Sequence, residues 1–72
     1  MAQKPEKRSI TIAGHATSIS LEKPFWDAVR AIAEDRGVSL PELIAEIDAK
    51  SREASLSSAI RVYVLHWYQS RT

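Results

Sequence analysis

The sequence contains no cysteine, only two glycines in 72 residues, and no long apolar run. Without thiols there are no disulfides and no thiolate metal sites, and the lack fits a reducing compartment. Two glycines do not make a glycine-rich phosphate loop. Nothing approaches the roughly 20 apolar residues needed to cross a bilayer. The charged opening "MAQKPEKRS" is followed by no apolar stretch of the signal-peptide kind. These absences describe a soluble, cytoplasmic chain with no membrane partner. His15 and His66 lie far apart with no Cys beside them, so no metal and no cofactor are expected. No Asp–His–Ser spacing occurs, and Glu42, Glu46 and Glu53 suit a solvated helix face; an enzyme is not expected.

Net charge is also scarce, at +1, but its distribution is uneven. Residues 1–23 carry +2 through Lys4, Lys7, Arg8 and Lys23 against Glu6 and Glu22. Residues 24–50 carry −3, and residues 51–72 carry +2. A polyanion would therefore meet the N-terminal end rather than the middle. Chains this short bury only about 60% of their unfolded surface, so one small domain that gains from oligomerising is expected.

What is present is a change of hydrophobic period. In "SITIAGHATSISL", Ile10 and Ile12 share one face; Thr17, Ile19 and Leu21 share another, with Ala16, Ser18 and Ser20 opposite. Both pieces read as strand, separated at Gly14 by a hairpin turn, a bulge or a bend. A first helix starts at Pro24 and stops at Gly37, with Phe25, Val29, Ile32, Ala33 and Arg36 on one face and Trp26 at its flank. "VSLPEL" then supplies a capping box from Ser39 and Glu42, with Val38 and Leu43 as the hydrophobic staple. Leu40, Leu43, Ile44 and Ile47 form the apolar stripe of this second helix, which fades near Lys50–Arg52. The segment "LSSAIRVYVLHWYQS" fits both periods, and its length favours a third helix capped by Ser55 or Ser57.

A lone strand leaves its backbone groups unpaired, and antiparallel pairing with a symmetry mate satisfies them. That order of strand, helix, turn and capped helix resembles the ribbon-helix-helix family of β-ribbon DNA readers. The resemblance rests on "TSISL" running into a helix with almost no loop, and on "RGVSLPELI" as the turn into the second helix. More closely, "GHATSISLEKPFW" (Gly14 to Trp26) and "LSSAIRVYVL" (Leu56 to Leu65) look like the opening and tail of a group of short bacterial members. The third segment, of roughly 15 residues, extends beyond the family's usual end. Outward strand positions that commonly carry Arg, Lys, Asn, Gln or Thr here carry Ala and Ser.

The resemblance implies a mainly α fold with a short N-terminal strand. It also implies an intertwined dimer with an intermolecular antiparallel two-stranded ribbon, here with an extra C-terminal helix. The expected divisions are a flexible basic arm (1–8), the ribbon-helix-helix core (9–54) and the added helix (55–72), packing on the core or the dimer interface. By the family's geometry Ala16, Ser18 and Ser20 would meet base edges in the major groove, with His15 a further candidate. Backbone amides at Ser39 and Leu40 would hold a phosphate, as free N–H groups at helix starts do. Lys23, Arg8 and Lys7 are further phosphate candidates. Ile19, Leu21, Leu43, Ile44 and Ile47 would form the dimer core. The partners expected are double-stranded DNA and a second copy, extending to higher oligomers on DNA. The function implied is that of a bacterial transcriptional regulator or repressor. A different class of reading keeps the fold as a dimerisation, adaptor or antitoxin-like module that binds a partner protein through the C-terminal helix.

Overall fold

Ala13 and Gly14 set the first element. Both hold positive φ (50° and 82°), as the central residues of a two-residue type I′ hairpin turn do. The chain therefore doubles back, and β1 (Pro5–Ile12) pairs antiparallel with β2 (His15–Glu22). This is a computed structural model that describes residues 4–71. Three helices follow the hairpin: α1 (Lys23–Arg36), α2 (Leu40–Lys50) and α3 (Leu56–Gln69).

The partner of the "TSISL" strand is thus β1 of the same chain. Ser9 lies opposite Ser18, Ile10 opposite Thr17, and Arg8 opposite Ile19. Of the expected 1–8 arm, residues 5–8 are the first half of β1; residues 1–3 fall outside the described range. The alternation begun by Ile10 and Ile12 continues backwards through Arg8 and Glu6, which is why the strand reaches so far.

Helix ends follow the local chemistry. Gly37 takes φ 70° after Arg36; its amide donates to Glu34 O and that of Val38 donates to Ala33 O, the paired bonds of a Schellman stop. At α2, Ser39 Oγ accepts from the Glu42 amide (3.2 Å), and Glu42 Oε1 accepts from the Ser39 amide (3.3 Å). Ser55 caps α3, its hydroxyl accepting from the Ser58 amide at 3.1 Å.

Every element contributes to one core: Ile19 and Leu21 from β2; Trp26, Val29, Ile32 and Ala33 from α1; Leu43, Ile44 and Ile47 from α2; Ala59, Ile60 and Val64 from α3, with Ile10 and Ile12 of β1 packed against it. Trp26 is fully buried rather than flanking, and Phe25 is half-buried. The indole N–H of Trp26 donates to Glu6 O at 2.9 Å, supplying the polar partner a buried tryptophan requires and pinning β1 to α1. Each large side chain fully buried contributes roughly 1.5–3 kcal/mol. Ile19, Leu21, Leu43, Ile44 and Ile47 are 0–5% exposed within a single chain, so a second copy is not what removes them from water. The residues expected at a dimer core thus lie in the core of one chain, where Ala59, Ile60 and Val64 of α3 join them. No helix among the described residues is long and apolar enough to span a membrane.

Candidate nucleic-acid interface

The hairpin has two unlike faces. Directly opposed residues of an antiparallel pair lie on the same side, so register assigns the rows. The inner rows hold Ile10 and Ile12 of β1 with Thr17, Ile19 and Leu21 of β2. The outer rows hold Lys7, Ser9 and Thr11 of β1 opposite Ser20, Ser18 and Ala16 of β2. Lys7, Ser9, Thr11, Ala16 and Ser18 are exposed, while Ser20 is half-buried. The three residues expected on the outward face of β2 are therefore together on it.

His15 is not in that row. It pairs with Ile12 and shares the side of Thr17 and Ile19, at the turn end of the inner face. Arg8 also turns inward: its guanidinium lies 5.0 Å over the Trp26 ring and 3.6 Å from the Glu6 carboxylate. Lys7 keeps the exposed outward position. Lys23 opens α1 and places Nζ 2.9 Å from Asp27, which holds the Asp27 carboxyl below its ordinary value.

The start of α2 is partly self-satisfied. Pro41 has no N–H, the Glu42 amide is taken by Ser39 Oγ, and the Ser39 amide is taken by the Glu42 carboxylate. The Leu40 amide is the one left for an anion at this helix start. The Glu42 carboxylate must swing aside before the Ser39 amide can join it.

Two features are not assigned by sequence reasoning. Ser9 and Thr11 are missed as outer-face residues, although the alternation with Ile10 and Ile12 carries that signal once Gly14 is read as a hairpin turn. The partner of Arg61 is also left open. Its Nε and Nη2 grip both oxygens of Glu22 (3.0 and 3.2 Å), and the guanidinium lies 5.8 Å over Phe25. Glu22 continues the outer row beyond Ser20. A hydrogen bond from its own backbone amide, then the bond from Arg61, hold its carboxyl below the ordinary glutamate range. The negative charge at this end of the ribbon is thus matched by a cation from α3.

Away from the hairpin, Arg36 links all three helices: it donates to both oxygens of Glu46 and to Tyr63 Oη (3.1 Å). A groove of about 480 Å³ lies between α2 and α3, and no hairpin residue lines it. Tyr63 and Trp67 stack at 6.4 Å and pack against the core, so neither is an open base-stacking platform. No cluster of three or more His, Cys, Asp or Glu side chains suited to a metal occurs among the described residues.

The hairpin thus presents an open polar outer face on a core built from all three helices. A family model described as the ribbon-helix-helix domain matches residues 5–68, and the chain belongs to that family. Ribbon-helix-helix domains are non-catalytic; they generally dimerise and bind DNA as transcriptional regulators. Among solved structures, the chain is similar to an uncharacterized protein from Bordetella pertussis Tohama I. The identity is 30% and the TM-score 0.74, over 92% of this chain and 57% of that one. This chain thus spans little more than half of that neighbour's length. No curated protein matches the sequence.

Proposed function

We propose that this chain is a DNA-binding protein that acts as a bacterial transcriptional regulator, with the outer face of its hairpin set in the major groove. The observation that carries this reading is the outward row Ala16, Ser18 and Ser20, presented on an exposed strand of a chain that belongs to the ribbon-helix-helix family. A two-stranded ribbon fits the major groove, where hydroxyls reach base edges. Serine donates or accepts at any base and alanine offers one methyl, so sequence preference rests on several small contacts and on DNA shape. Lys7, Lys23 and the Leu40 amide supply the phosphate contacts, with the Ser39 amide joining when Glu42 moves aside. Arg8, held against Trp26, is left out of this set. Two copies on a two-fold site is the assembly proposed, in keeping with the family's general habit of dimerising.

The test is selection from a random duplex pool, followed by anisotropy titrations of the enriched duplex at several salt concentrations. Binding should weaken steeply as salt rises, with a log–log slope of about −0.9 for each phosphate neutralised. Failure to bind any duplex at low salt overturns the proposal.

One observation favours a second reading. Leu65 and Tyr68, three residues apart on α3, are 54% and 46% exposed. They would be the contact for a protein partner of an antitoxin-like module. Removing residues 55–72 is not a clean test, because Ala59, Ile60 and Val64 belong to the core. Leu65→Ser with Tyr68→Ser leaves the core intact and should abolish co-purification with such a partner.

A further inference from the structure

The groove of about 480 Å³ between α2 and α3 has the size of a small-molecule site, which commonly spans roughly 300–1,000 Å³. Its lining comes from the helices and the linker between them, so what it binds is independent of the DNA-binding reading. We infer that this groove is a binding site for a small aromatic carboxylate, a flat molecule of one or two rings with a single negative charge.

The walls select the flat apolar body. Ala59, Val62, Tyr63 and Trp67 recur on α3 at helical spacing and form one side, and Ile47 of α2 lies beneath them. Ile47 and Ala59 are core residues with only 5% and 4% of their surface open, and Tyr63 and Trp67 pack against the same core. Val62 is different. It is half-buried, takes no part in the core, and lines the groove. An apolar side chain that the fold leaves outside its core gains from any ligand that covers it.

Charge selects the sign. Arg36, Lys50 and Arg52 line the groove against Glu46 and Glu53, which leaves one cation in excess. Glu46 is committed within the protein, since Arg36 donates to both its oxygens and Lys50 Nζ donates to Oε1 at 3.3 Å. Arg36 also donates to Tyr63 Oη, so its guanidinium is committed with it. Arg52 has no carboxylate partner among the described residues, and Lys50, with 77% of its side chain exposed, keeps further N–H groups for a ligand. Glu53 is unpaired as well and already stands in that balance. The C-terminus of α2 and the N-terminus of α3 meet at this end of the groove, and their opposite partial charges largely cancel. A carboxylate held here takes charge-assisted hydrogen bonds from Lys50 and Arg52 while its ring covers Val62.

The probe is naphthoate, with naphthylmethanol and naphthylmethylammonium as the same ring bearing no charge or the opposite one. Each is titrated into the full chain at neutral pH, following the methyl resonances of Ala59 and Val62 and the indole resonance of Trp67. Sedimentation gives the oligomeric state throughout. Naphthoate should saturate these shifts and bind roughly fivefold to tenfold more tightly than the alcohol, with the ammonium weakest. Lys50→Gln with Arg52→Gln, both at exposed positions, should remove most of that preference. Val62→Trp fills the groove and should weaken naphthoate and the alcohol alike by about tenfold or more, with circular dichroism confirming the fold.

No saturable shift with naphthoate up to millimolar concentration overturns the inference. Equal binding of all three probes overturns it too, because that marks a plain apolar surface. So do concentration-dependent shifts at Val62 without any probe, which mark the groove as covered by a second copy. None of these results touches duplex binding by the hairpin, and failure to bind any duplex leaves the naphthoate result standing.

Discussion

The two faces of the hairpin share a backbone and differ in almost everything else. On the inside, Ile19 and Leu21 are 1% and 0% exposed and join all three helices in one core. On the outside, the same strand carries Ala16, Ser18 and Ser20, which are no part of that core. The inner face accounts for the fold and places few demands on the outer one. Whatever the ribbon does must therefore be sought in residues that stability does not constrain, and that difference can be broken from either side.

The largest effect should come from the inner face. Ile19→Asp places an unpaired charge in the core at a cost of about 3–5 kcal/mol. That compares with a total stability of roughly 4–11 kcal/mol for a chain of this length. Loss of the helical circular dichroism signal and of a cooperative thermal transition is expected, whether the chain is tested as monomer or dimer.

Next comes the seam between the faces. Arg61→Ala frees the Glu22 carboxylate at the end of the outer row, where it would repel DNA phosphates. Duplex binding should weaken roughly twofold to fivefold relative to wild type at low salt, and the gap should narrow as salt rises. Adding Glu22→Gln in the same background should restore binding.

Acid separates the faces more gently. Glu22 and Glu46 have folded pKa values below their ordinary 4.5, the first through its own amide and Arg61, the second through Arg36 and Lys50. Groups with lowered folded pKa contribute stability that is present above the unfolded value and lost as pH falls through the folded one. Thermal midpoints should stay flat from neutral pH to about 5 and fall below about 4.5. Glu46→Gln should blunt that fall.

The smallest effect belongs to the turn. Ala13 holds φ 50°, which costs an alanine roughly 1–2 kcal/mol and asparagine less. Ala13→Asn should stabilise the chain by roughly 0.5–1 kcal/mol, read as a rise of a few degrees in thermal midpoint, with duplex binding unchanged.

Much of this is legible in the residues. The capping box of Ser39 and Glu42, the stop at Gly37 and the third helix all follow from local chemistry, and local chemistry suffices at helix ends. The partner of β2 is not settled by sequence, because Ala-Gly is a weak turn signal beside Asn-Gly; the antiparallel register and the positive φ of Ala13 and Gly14 show that the chain reverses there. With hairpin turn, bulge and bend all left open at Gly14, residues 5–8 look like an arm and Ser9 and Thr11 go unassigned. The inward side taken by Arg8 and His15 is not legible either: charge and position near a ribbon end say nothing of which side of the strand a residue faces. The Glu22–Arg61 pair spans 39 residues, and no sequence spacing announces a contact of that range.

The most direct measurement is a titration of the isotopically labelled chain with its enriched duplex, following backbone amide resonances. The amides of Ser9, Thr11, Ala16, Ser18 and Ser20 should move together, with Leu40 at the start of α2, while Leu65 and Tyr68 on α3 stay in place. Movement confined to α3 with a silent hairpin, or no movement anywhere, would contradict the account.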